Sequence, residues 1–193
     1  MRRVMIYSQE SRKAIRRGRM ARHVLSFRDD TRGVAAIEFA FIAAPLAGLM
    51  VAILQTSLTF FAQQTLETTA EKSVRKLITG EAQKASMTAA QFKTLVCTKL
   101  PSFMKCDNVY VDVTSAVSFA SIATSAPTIT FDGDGKVTNS FAFTPGGPGS
   151  INIVRIMYAW DVQAGPFGFD LATMSNKKRL LYATAVFKTE PYT

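Results

Sequence analysis

The stretch "RGVAAIEFAFIAAPLAGLMVAILQTSLTFFAQQ", residues 32–64, decides how the whole chain is read. From Val34 to Ala62 there are 29 residues, and Glu38 is the only formal charge among them. A helix that crosses a bilayer needs about 20 predominantly apolar residues. A secretory signal peptide has a shorter apolar region, about 7–15 residues, ended by small residues at a cut site. "AFIAAP" supplies small residues, but the apolar run continues through "LAGLMVAIL", and Pro45 would sit beside the cut. The stretch is therefore expected to stay on the protein as a membrane anchor. Glu38 just inside it is the anomaly, because an ionisable group in a span is costly and often functional.

What precedes the stretch sets its orientation. Residues 1–33 carry ten Lys/Arg against Glu10, Asp29 and Asp30, whereas the chain as a whole has a net charge of +9. Most of the excess charge thus belongs to this arm and not to the body. A basic arm suits nucleic acid or the cytoplasmic side of a membrane. The apolar run that follows selects the membrane, with no nucleic-acid partner expected. The positive-inside rule puts Arg22, Arg28 and Arg32 in the cytoplasm and the C-terminal body outside it. The arm has no sustained apolar periodicity, and either Met5 or Met20 could serve as the start.

The helical pattern does not stop at the membrane edge. In "QQTLETTAEKSVRKLITG", Leu66, Ala70, Val74 and Leu77 recur at spacings of three and four, on one face. Glu67, Glu71, Lys72, Arg75 and Lys76 take the other, and Glu71 to Arg75 is a favourable i,i+4 pair. Gly80 is a suitable stop. The pattern predicts a helix over 34–79, membrane-embedded to about residue 62, with a projecting half whose apolar stripe needs a partner. Pro45 removes a hydrogen bond within it and is expected to kink or locally unwind it; the alternative is a tolerated membrane proline.

Residues 80–193 read as an extracytoplasmic body. Thr88 and Gln91 have capping-box spacing, and Phe92, Leu95, Val96 and Leu100 form a stripe that Pro101 ends. After Asp107 the period becomes two. Val109, Val111, Val113, Val117 and Phe119 alternate with polar residues, as in a half-buried strand. "TITF" and "VTNSFAF" flank "DGDGK", a hairpin signal. Val154, Ile156, Tyr158, Trp160 and Val162 form the expected buried face of a further strand, and Leu181, Ala183, Ala185 and Phe187 that of the last. The expected fold class is α+β: a long N-terminal helix packed on an antiparallel sheet, with a second short helix.

Cys97 and Cys106 both fall in the extracytoplasmic part, where disulfides persist. A bridge between them is expected, pinning the second helix to the first strand; the alternative is two reduced, buried cysteines. No metal site is expected, because the only histidine, His23, lies in the basic arm. "DGDG", Asp132 to Gly135, lacks the further oxygen ligands of a calcium loop and reads as a turn. "NKKRL", residues 176–180, reads as a solvated turn, and Tyr158 and Trp160 as sheet core. No nucleophile, base and oxyanion constellation and no phosphate loop is present, so neither an enzymatic activity nor a cofactor is expected.

The basic leader, Gly33, Glu38-Phe39, the apolar helix and the segment Phe61, Ala62, Gln63, Gln64 together resemble the N-terminal signature of the TadE-like family. Its members are minor pilins or pseudopilins of the tight-adherence (Flp) branch of type IV pili. The resemblance covers residues 28 to about 79, and the body carries no motif of the family. It implies that a prepilin peptidase of the inner membrane cuts between Gly33 and Val34 on the cytoplasmic face, removing the leader. It also implies that Glu38, with Phe39 beside it, sets subunit register by meeting the new terminal amine of a neighbour. The implied partners are the inner membrane, the peptidase, other pilins of the same filament and its assembly machinery. The implied location is the bacterial inner membrane, with the body periplasmic, and then the pilus at the cell surface. An uncleaved single-pass scaffold or sensor and a secreted binding domain remain the alternatives.

Overall fold

A computed structural model describes residues 33–122, 128–132 and 137–192. The leader, with His23, Arg22, Arg28 and Arg32, lies outside the described residues, as does most of the "DGDGK" turn. Helix α1 runs Val34–Ile78 without a break at Pro45. The chain divides after Ala47 into an N-terminal unit and a body, Gly48–Thr193, which α1 links covalently.

In the body, α1 ends where expected. Thr79 N donates to Arg75 O and Gly80 N to Leu77 O, and Gly80 adopts φ 73°. That left-handed conformation suits glycine, and a Cβ there would collide with the Tyr192 ring. The C-terminal tail completes the cap, with Glu190 N donating to the Ile78 carbonyl at 2.8 Å. A one-turn helix α2, Glu81–Lys84, follows; the sequence pattern does not signal it. Helix α3, Ala89–Thr98, starts with the capping box, in which Gln91 N donates to Thr88 Oγ1 and Thr88 N to Gln91 Oε1.

Among the described residues the sheet has four strands: β1 (Val109–Ala116), β2 (Phe143–Thr144), β3 (Ile151–Asp161) and β4 (Lys178–Lys188). Their order is β2-β1-β3-β4. One face meets α1 and α3. Ala62, Leu66, Ala70, Val74 and Leu77 of α1 and Phe92 and Val96 of α3 join Val109, Val113, Val154, Ile156, Tyr158, Leu181 and Ala183 in one core. Burying a Leu or Val side chain stabilises by about 1.5–3 kcal/mol, so this stripe holds the outer half of α1 to the sheet. Leu95, Leu100, Ala185 and Phe187 pack on the margin of that core.

Three features depart from the sequence pattern. First, the sheet is mixed and not wholly antiparallel: β2 pairs with β1 in parallel, Val113 opposite Phe143. The expected hairpin shrinks, among the described residues, to one antiparallel bridge, Phe131 to Val137. The chain beyond it is captured by β1 instead, with Val113 N donating to Ala142 O and Ala142 N to Asp112 Oδ1. Second, Val117 is 96% exposed and Phe119 is also exposed, so neither belongs to a buried face. Strand β3 begins at Ile151 opposite Ala116, which leaves no antiparallel partner beyond that residue. Val162, just past the end of β3, is likewise only half-buried. Third, β3 is buried on both faces, since Ile153, Met157 and Ala159 are as enclosed as Val154 and Ile156. On that second face Arg155 Nη1 donates to Asp112 Oδ2 at 2.9 Å across the β1–β3 pair.

Candidate assembly surface

Residues 33–47 of the N-terminal unit start with Gly33, exposed and immediately before the first α-helical residue, Val34. Val34 and Glu38 are one turn apart and share a helix face. Both are exposed, and no described residue forms an ion pair with Glu38. Ile37, Phe39, Phe41, Ile42 and Leu46 are all more than half exposed. Pro45 is exposed and Ala43 partly covered.

The same character continues into the body. Leu49, Met50, Val51, Ile53, Leu54, Leu58, Phe60 and Phe61 are exposed. Consecutive apolar residues such as Leu49, Met50 and Val51 point in three directions, about 100° apart, so this part of α1 is apolar all round. A helix of that kind is stable when enclosed, in a bilayer or among other helices, and its length and composition suffice to cross a membrane. From Thr59 onward the pattern changes to one buried stripe: Thr59, Ala62, Leu66, Thr69, Ala70, Ser73, Val74 and Leu77. α1 is thus a lipid-compatible rod that becomes a core helix near Thr59.

Aromatic rings surround that change. Phe61 stacks on Phe103 at 5.7 Å between ring centres, Phe103 meets Trp160 edge-on at 6.4 Å, and Trp160 tilts against Tyr158 at 6.2 Å. Tyr158 belongs to the core, as expected, and its hydroxyl accepts from Lys105 N at 2.9 Å. Gln63, in the aromatic-Ala-Gln-Gln segment, donates from Nε2 to the Tyr182 carbonyl of β4 at 3.0 Å and to Glu67 Oε1 at 2.7 Å. It fastens α1 to the edge strand where the apolar stripe begins. The Phe103–Trp160 contact joins residues far apart in sequence, and only the isolated aromatics hinted at it.

The cysteines are bonded to each other, Cys97–Cys106, with Cα atoms 5.4 Å apart. The bridge ties the end of α3 to the 3₁₀ turn, Cys106–Asn108, that leads into β1. The "NKKRL" turn carries Lys177 at φ 59°. Next to it, Lys178 pairs with Asp161 at 2.9 Å, and Arg179 Nη1 donates to Leu171 O. No group of three or more metal-ligating side chains occurs among the described residues. The arrangement offers exposed apolar surface for enclosure and packing.

Residues 33–75 match a family model described as TadE-like protein. The match begins at Gly33, runs through Glu38 and the apolar rod, and stops within the buried stripe, leaving the sheet unmatched. No curated protein and no solved structure matches the chain. The matched segment is therefore similar to the N-terminal part of TadE-like proteins, and the similarity is confined to it.

Proposed function

We propose that the chain is a minor pilin, or pseudopilin, of a tight-adherence pilus, made as a membrane precursor and drawn into the filament by its N-terminal helix. The observation that carries this is the exposed, all-round apolar section of α1 ahead of a folded body, within a segment that matches the TadE-like family. Such a surface must exchange one apolar enclosure for another. In the inner membrane it faces lipid, and in a filament it faces the same helix of neighbouring subunits. Small residues, Ala43, Ala44 and Ala47, would let those helices approach closely.

In this reading a prepilin peptidase cuts between Gly33 and Val34 and removes the basic leader. The new ammonium at Val34 and the Glu38 carboxylate then both lie in an apolar layer. A lone buried charge is expensive, and two opposite ones offset each other when geometry and hydrogen bonding are good. Glu38 of one subunit would take the Val34 amine of the next, fixing axial register, with Phe39 packing beside the pair. Pro45 would supply a point of yield as the helix leaves the bilayer. The body would be periplasmic until export.

The intact mass and N-terminal sequence of the membrane-purified protein test this. A mature chain starting at Val34 supports it. A retained leader would instead make the protein a single-pass scaffold, and a soluble product starting near residue 45 would make it a secreted domain.

A further inference from the structure

The connection between β3 and β4 carries no charge from Val162 to Phe169. Its tip is Pro166–Gly168, a 3₁₀ turn closed by Gly165 N donating to Phe169 O at 2.7 Å and Phe169 N to Pro166 O. Phe167 stands at φ 58°, a conformation that side chains rarely adopt, and is 80% exposed. Its ring lies against Gly48 of α1, close enough that a Cβ on Gly48 would come within 2.5 Å of Phe167 Cε2. Between Gly48 and Thr59 only Ala52, Gln55 and Thr56 are partly covered, and the fully buried stripe of α1 begins at Thr59. The loop therefore leaves the sheet and runs back along the apolar rod, presenting an aromatic ring outward.

The placement of Gly48 gives this loop a solvent. Any window of about 20 residues chosen as the span within Val34–Phe61 contains Gly48. A ring held beside Gly48 is then at the depth of the acyl chains wherever the span begins. The base of the loop has the composition of a headgroup layer. Trp160 and Phe103 lie there, and Lys177, Lys178 and Arg179 flank the return into β4, with Lys178 paired to Asp161 at the loop's start. Aromatic rings and cations collect at that level of a membrane.

We propose that residues 162–169 form a second membrane contact, a wedge whose Pro166–Phe167 tip enters the periplasmic leaflet beside α1 while the precursor waits in the bilayer. The proposal rests on the membrane-anchored reading above. The occupant of the exposed face of Phe167 is lipid hydrocarbon, and the wedge fixes the body's rotation and height over the membrane before assembly.

The test places a single tryptophan along the full chain, with the native Trp160 replaced by Phe. Variants Phe167→Trp, Met50→Trp and Val117→Trp are reconstituted in phosphatidylethanolamine–phosphatidylglycerol vesicles with bromine on the acyl chains. The expected result is loss of emission at positions 167 and 50 and none at 117. Quenching at 50 but not at 167 overturns the wedge and leaves the anchor standing. No quenching at 50 overturns the anchor and the wedge with it. Blue-shifted emission at 167 that bromine does not touch assigns that face to another protein chain and also overturns it. Phe167→Cys labelled with bimane, in the Trp160 background with spin-labelled lipid, repeats the measurement without the Trp160 replacement: quenching supports the wedge, and its absence overturns it.

Discussion

Asn152 Nδ2 donates to Thr189 Oγ1 at 2.7 Å, and both side chains are fully buried. Asn152 Oδ1 also accepts from Gly146 N at 2.7 Å, and Thr189 N donates to Ser150 O. The next residue, Glu190, caps α1 through Ile78 O. One buried amide thus joins the loop before β3 to the tail that closes the long helix. Asn152→Ala leaves Gly146 N and the Thr189 hydroxyl without this partner. The expected loss is about 2–3 kcal/mol of unfolding free energy, read by denaturant unfolding of the detergent-purified protein. An unchanged midpoint would refute the role given to this amide.

The Cys97–Cys106 bridge closes a short loop, with a sequence separation of 9. Loop-closure entropy puts its contribution at about 2–3 kcal/mol. Cys97→Ser with Cys106→Ser should lower the melting temperature by the corresponding amount. Reduction of the wild type should produce the same shift, and none in the double variant.

Asp112 holds two strangers together. Its Oδ2 accepts from Arg155 and its Oδ1 from Ala142 N, the residue before β2. Asp112→Ala is expected to release the parallel edge strand as well as to cost about 2 kcal/mol. Hydrogen exchange would show this as faster exchange at the Val113 amide, whose acceptor is Ala142 O. Asp112→Asn, which keeps an acceptor for Ala142 N, should protect that amide better than Asp112→Ala does.

Glu81 accepts from Lys76 Nζ at 2.7 Å and from the Thr79 hydroxyl at 3.2 Å. The Lys76 hydrogen bond, then the Thr79 one, hold its carboxyl below its ordinary value of 4.5. The folded state thus favours the ionised form. The pair's contribution is present above pH 4.5 and fades as the pH falls below that value through the lowered folded one. Because the pair is exposed, the effect is small and salt-sensitive. Glu81→Gln should flatten the stability profile in that acid window and leave it unchanged near neutrality.

Glu38→Ala removes the one charge of the apolar rod. Membrane insertion and leader removal are expected to persist, while incorporation into surface fibres is lost. Fractionation of sheared pili against membranes reads this directly, and normal incorporation would defeat the register role of Glu38.

Much of α1 was legible because its signals are local. Gly80 ends it, the Leu66–Leu77 stripe names its buried face, and the Thr88–Gln91 spacing starts α3. The strand pattern around Val109 and Val113 was legible for the same reason, and it misled at Val117, where the alternation continues but the partner strand does not. The candidate surface was legible in part: Gly33, Val34, Glu38 and the apolar run stand out in the primary structure. The ring of Phe61, Phe103 and Trp160 and the seat of Phe167 on Gly48 do not, since each joins residues that no periodicity relates.

By itself, then, the chain's order of residues determined the apolar run, the helix that outruns it, one core stripe and two cysteines placed together beyond it. Tertiary structure decided which strands became neighbours, why the edge strand is parallel, that β3 is buried twice, and which loop lies along the rod. The physical reason is range. Periodicity reports which face of an element avoids water, and hydration is a local property. Partner choice depends on contacts such as Gln63 with the Tyr182 carbonyl, 119 residues apart, whose free energy exists only once the rest of the fold has brought them together.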